Sequence, residues 1–175
     1  MHRPLVYYDH PTLRQKAKNI PLITAEIKKL AEDMIDTMIH HNGVGLAGPQ
    51  IGQLLRIFVI RDEFVDQAGD YQFGPSEVFI NPMITNPSTK TVVMPEGCLS
   101  IPGIHSDVER PASIHIRYQT LDGETVTEEV TGFRARVMMH ENDHLNGTLF
   151  IDRLPSDDRK QLEPELRVIK QKHKA

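Results

Sequence analysis

The stretch Val137-Met138-Met139-His140-Glu141-Asn142-Asp143-His144-Leu145 constrains this chain more than any other. On a helix, residues i and i+4 lie one above the other on one face, so His140 and His144 can grip a single metal ion together. Glu141, directly after the first histidine, is placed to take up and return a proton on water at that metal. Phe133 and Val137 extend the same face upstream at helical spacing, and Asn146-Gly147 supplies a stop. The bland alternative is a helix carrying two partly exposed histidines. The glutamate and the apolar flank favour the metal.

Two histidines do not complete a site. Zincin-like metallopeptidases built on His-Glu-x-x-His take a further ligand downstream, but the only histidine after His144 is His173, in the tail. Asp152, Asp157, Asp158, Glu163 and Glu165 follow without a firm setting. Cys98 is the better third ligand, because a thiolate binds transition metals tightly and the residue sits in a Gly- and Pro-framed segment, Pro95 to Gly103. Two other readings of Cys98 stand beside this one: a small buried hydrophobe, or the nucleophile of a Cys–His pair. A Cys/His/His set leaves one coordination position open, which marks a catalytic rather than a structural site. A non-catalytic metal-binding module would have no need of Glu141.

The rest of the composition narrows the class. With 175 residues, 39% of them hydrophobic and 25% charged, the chain reads as one ordinary globular domain spanning 1–175. A net charge of -4 argues against nucleic-acid binding as its main task. One cysteine permits no internal disulfide, the segment Met1 to His10 lacks the apolar run of a signal peptide, and no run is long enough to span a membrane. These features suggest a cytoplasmic protein.

The periodicity predicts an α+β fold: short, mostly antiparallel strands around the metal-binding helix, with an amphipathic N-terminal helix and a C-terminal helix. Thr24 to His41 carries Ile27, Leu30, Ala31, Met34, Ile35, Met38 and Ile39 as one apolar stripe, with Thr24 as N-cap and Asn42-Gly43 as stop. Arg56 to Ile60 reads as a buried strand, and Arg61 to Ser76 as a solvated loop. Strands follow at Glu77 to Thr85, with Pro82 at an edge or bulge, and at Thr89 to Met94, which runs into an irregular path from Pro95 to Gly103. Ser113 to Thr120 and Thr125 to Val130 flank an Asp122-Gly123 hairpin turn. Ser156 to Lys172 reads as an exposed helix weakened by Pro164, within a variable tail that begins near residue 155.

Gly43-Val44-Gly45-Leu46-Ala47-Gly48 matches the G-x-G-x-x-G dinucleotide fingerprint in letters only. That motif needs a strand before it and a long helix after it. Here a helix comes before, and too few residues follow before the next strand. The stretch reads instead as a glycine-rich loop that lets backbone approach something closely.

Taken together, three stretches carry a family resemblance: Gly43 to Gln50, Glu96-Gly97-Cys98-Leu99-Ser100, and His140-Glu141-Asn142-Asp143-His144-Leu145. In this order they resemble the peptide deformylases, over nearly the whole chain up to the tail. The resemblance implies an enzyme that hydrolyses the formyl group from N-formylmethionyl peptides. It implies one divalent metal held by Cys98, His140 and His144, ferrous iron by preference, with zinc, nickel or cobalt also accepted by such donors. It implies Glu141 as general acid and base, and the Gln50 side chain with the Leu99 N–H as oxyanion donors. The peptide backbone would align along Val44, Gly45 and Gly97, and Phe133 and Val137 would border the methionine pocket. The basic tail would dock on the ribosome. Arg136 lies nearby in sequence, and the plain reading is that its stem covers the pocket edge. Three positions depart from the commoner pattern. Gly48 replaces an alanine and should loosen the loop, Met139 replaces a glutamine beside the first histidine, and His105 replaces an arginine that contacts substrate.

Overall fold

The computed structural model describes residues 1–174. Its first helix, α1 (Ala25–His40), starts where Thr24 accepts a hydrogen bond from the Ile27 N–H, and Asn42 beyond it adopts a positive φ of 55°. Next come β1 (Gly45–Ala47), a 3-10 turn at Gly48–Ile51, and β2 (Ile57–Val65). The glycine stretch is therefore partly a strand rather than a loop. β1 runs antiparallel to β2, with Gly45 opposite Ile60 and Ala47 opposite Phe58.

β3 (Tyr71–Thr85), β6 (Ser113–Gln119) and β7 (Thr125–Thr131) complete a five-stranded antiparallel sheet in the order β1-β2-β3-β6-β7. A separate two-stranded hairpin is formed by β4 (Thr91–Cys98) and β5 (Ile101–Pro111). The metal-motif helix α2 (Gly132–Leu145) follows β7, and α3 (Ser156–Lys172) closes the chain.

The large sheet is covered on both faces, and β2 shows it in its alternation. Ile57 and Val59 pack with Leu30, Ala31, Met34 and Met38 of α1, while Phe58 and Ile60 pack with Ala135, Met138 and Leu145 of α2. A strand buried on both sides needs an unbroken apolar run, which is what Ile57 to Ile60 supplies. A third cluster joins Leu166 and Ile169 of α3 to Ile101, Ile104 and Val108 of β5.

Several expectations are corrected. Residues 61–76 are not a loop: β2 and β3 run on as a hairpin, with Glu63 opposite Phe73 and Val65 opposite Tyr71. Both faces of this arm meet solvent, so no buried side imposes the alternation by which a strand is read. Pro95 to Gly103 is not irregular either, because only the turn at Leu99-Ser100 interrupts two paired strands. α3 is docked rather than fully exposed and remains helical through Pro164. Pro82 does sit at a bulge, where the β3–β6 register shifts between Ile80 and Met83.

Candidate active site

α2 lies against β1 and β2, and the β4–β5 hairpin closes on its other side. Between them opens a cleft of about 730 Å³, lined by Val44, Gly45, Gln50, Gly97, Cys98, Leu99, Phe133, Val137, His140 and Glu141 among others. The helix turn brings the two histidine rings to a centroid distance of 5.1 Å, and the end of β4 carries Cys98 to them. Cys98 Sγ lies 3.3 Å from Nε2 of His144. One ligand atom from each of Cys98, His140 and His144 falls within 4.8 Å of the others, the only such His/Cys/Asp/Glu group among the described residues. His173, the downstream histidine, is stacked on Tyr7 at 3.7 Å and belongs to no ligand group.

The electrostatics fit a cation in this cradle. Burial disfavours charge on His140, but Cys98, Glu141 and Glu96 around it pull its pKa well above the usual histidine value, which marks an electron-rich pocket. Burial, reinforced by the positive charges of His140 and Arg110, holds His144 well below its usual value and keeps a lone pair for coordination. His140 Nδ1 is 2.9 Å from Oε1 of Glu96. A carboxylate only accepts, so Nδ1 carries the proton and Nε2 is left as the donor atom. Burial, opposed by His140 and reinforced by Glu96, pushes Glu141 up to about 7, where a carboxyl both accepts and gives protons near neutral pH. Its Oε1 is buried with no protein partner.

Gln50 is fixed from both ends of its amide. Oε1 accepts from the Ala47 N–H at 2.9 Å, and Nε2 donates to Ser100 Oγ at 3.1 Å and faces Cys98 Sγ at 3.5 Å. Gly45 is required by packing, since a Cβ there would run into the Glu141 carboxylate. At Gly97 a Cβ would come 2.6 Å from the His105 ring across the hairpin, an exposed side chain that would have to turn aside. His105 therefore forms part of the cleft wall. Phe133 is half-exposed at the cleft edge, while Val137 also belongs to the core cluster behind it. The Val44 carbonyl already accepts from the Arg61 N–H at 2.9 Å.

Two departures read differently in three dimensions. Gly48 does not loosen its segment. A Cβ there would sit 2.6 Å from the Gln53 carbonyl oxygen and 2.9 Å from that of Leu55, so backbone closes over the glycine and leaves no room for alanine. Met139 packs in the core cluster, and the partner of His140 is Glu96.

Sequence reasoning missed the network behind the ligands. Glu96 accepts from Arg110 at 2.6 and 2.9 Å and from Arg136 at 2.6 Å, besides His140. Arg110 reaches on to Asp143 at 3.0 Å, and Arg153 closes the chain on Asp143 at 2.6 and 2.7 Å. Arg136 does line the cleft, as expected, but it is more than a cover. It is buried, and it also donates to the carbonyls of Val108 and Val92. One signal was available: with residues 91–98 read as a strand, Glu96 shares a face with Cys98.

The chain resembles known proteins throughout. The family model described as polypeptide deformylase matches residues 2–160. The peptide deformylase of Thermotoga neapolitana is 45% identical, over 88% of this chain and 87% of its own. A crystal structure of peptide deformylase from Plasmodium falciparum superposes with a TM-score of 0.88 at 33% identity, over 98% and 97% of the two chains. A Met-Ala-Ser-bound peptide deformylase from Acinetobacter baumannii gives 0.81 at 33% identity, over 88% and 99%. With the match running through the strand, the hairpin and the helix that meet at the cleft, the chain belongs to the polypeptide deformylase family.

Proposed function

We propose that the cleft carries out its hydrolysis with Cys98, His140 and His144 holding one divalent metal and Glu141 moving the protons. The enzyme removes the N-formyl group from nascent polypeptides and releases formate, the activity of its family. The observation that carries the assignment of residues is the convergence of three ligand atoms within 4.8 Å beside a buried carboxyl raised to about 7. When bound, the metal supplies a Lewis acid that makes water nucleophilic near neutral pH.

The chain's own groups do the rest. Glu141 takes the proton from the attacking water and delivers it to the departing amine. The Gln50 amide, held by the Ala47 N–H at Oε1 and by Ser100 at Nε2, and the Leu99 N–H serve the developing oxyanion. Val44, Gly45 and Gly97 align the peptide backbone, Gly45 making room for Glu141 and Gly97 for His105 where a Cβ would otherwise sit. Phe133 and Val137 border the methionine side chain. Met-Ala-Ser, bound by the Acinetobacter baumannii relative, supports this class of ligand. Cleavage of internal peptide bonds finds no support, since Cys98 stands upstream where a zincin takes its ligand downstream.

One thiolate and two imidazoles accept iron, zinc, nickel or cobalt, and the family resemblance favours ferrous iron. No described helix is long and apolar enough to cross a membrane. A cytoplasmic enzyme meeting chains at the ribosome fits the substrate, with the basic residues Arg167, Lys170, Lys172 and Lys174 of the tail as the docking element.

Formate release from formyl-Met-Ala-Ser, measured anaerobically with metal supplied, tests the function, and its absence refutes it. Cys98→Ala should lose the metal, and full metal content in that variant overturns the ligand set. Glu141→Ala should keep the metal and lose activity by about a thousandfold.

A further inference from the structure

We propose that the substrate cleft continues along one face of the β2–β3 hairpin, and that this face binds apolar side chains of the polypeptide downstream of its formylated residue. The proposal rests on the hydrolase reading above. Glu63 lines the cleft, and the register sets it opposite Phe73, with Val65 opposite Tyr71 two pairs further out and so on the same face. Paired residues of antiparallel strands point to the same face, so Phe73, Val65 and Tyr71 continue the surface that Glu63 begins. They are 41%, 56% and 69% exposed, a contiguous apolar strip rather than scattered side chains.

The base of the arm is fixed to the cleft. The Arg61 guanidinium lies 3.6 Å over the Phe73 ring, and its Nε donates to the Gly43 carbonyl at 2.8 Å. Gly43 and Val44 line the cleft, so the same arginine ties the strip to the segment along which the peptide backbone is proposed to lie. β1 pairs with β2 only as far as Ile60, which leaves the β2 edge beyond Arg61 without a strand on that side. From Arg61 to Val65 the arm spans about 13 Å, the length of about four extended residues. A long chain whose first residues fill the cleft must leave over some surface, and this one is apolar and continuous with the site.

The test compares kcat/KM for formyl-Met-Ala-Ser with two formylated nonapeptides that carry leucine or serine at positions five to eight. The wild type should favour the leucine nonapeptide by about tenfold, mostly through KM, the return expected for covering one half-exposed apolar side chain. Val65→Ser with Tyr71→Ser should abolish that preference. Phe64→Ser, on the opposite face of the hairpin, should retain it. Equal efficiency on both nonapeptides in the wild type overturns the proposal, as does a preference that survives the double change. Light scattering adds a further outcome: a wild-type dimer that the double change dissociates, with the preference untouched, makes the strip a self-association surface and overturns the proposal. Absence of formate from every substrate would instead strike the hydrolase reading itself.

Discussion

Asp33 on α1 and Glu96 on β4 are both carboxylates met by several cations, and both are held at about 2. For Asp33 the largest influence is the hydrogen bond from Lys29, one helical turn earlier, helped by Arg3 against some cost of burial. For Glu96 burial pushes upward most strongly, and the hydrogen bonds from His140 and Arg110 overcome it. The same pKa thus arises from two different balances. Asp33's partners are long side chains at the surface, free to turn to water. Those of Glu96 are themselves buried, so loss of the carboxylate leaves His140 Nδ1 without its acceptor, Arg110 with Asp143 alone and Arg136 with two backbone carbonyls and no counter-charge. A depressed pKa reports how much the ionised form is favoured over the protonated one, not how much the fold depends on the pair.

The sharpest way to break the comparison is Glu96→Ala. It leaves Arg110, Arg136 and His140 without their shared acceptor, and should cost about 3–5 kcal/mol in urea unfolding. Metal content should fall too, because His140 loses the group that fixes its tautomer. Asp143→Asn should cost less, about 2 kcal/mol, since Arg110 keeps Glu96 and the half-exposed Arg153 can be hydrated. Asp33→Asn should cost about 1 kcal/mol or less. Added salt at about 0.5 M should shrink the Asp33 effect and leave the Glu96 effect in place, because Asp33, though buried, pairs with cations at the surface that salt screens, whereas both sides of the Glu96 pairs are buried.

The pH dependence is the smallest test. A carboxylate whose folded pKa is depressed contributes its stability above its unfolded value of about 3.9 and loses it as the pH falls through the folded value. The gap between wild type and Asp33→Asn should therefore be full at neutral pH and close between about pH 4 and about pH 2. A gap that persists at the acid end would place the effect in packing rather than charge.

Much was legible in the sequence wherever a single element carries the pattern. The Thr24 cap, the Asp122-Gly123 turn and most of the α1 stripe follow from local rules and appear as read, while Ile39, at the end of the stripe, is exposed. The arm at 61–76 was unreadable because alternation exists only where one face is buried and the other is wet. The Glu96 network was unreadable because its members come from β4, β5, α2 and the turn at Phe150–Arg153, and nothing in the spacing of Glu96, Arg110, Asp143 and Arg153 predicts that they meet.

The sequence by itself determined that His140, Glu141 and His144 share one helix face, because 3.6 residues per turn is a property of the backbone. It also marked Cys98 as the sole thiol. Only the tertiary structure decided that Cys98 reaches His144, that Glu96 rather than residue 139 supports His140, and that Gly48 is held by closing backbone. Each of these is a distance between segments far apart in the chain, set by how the sheet, the hairpin and the helix pack together.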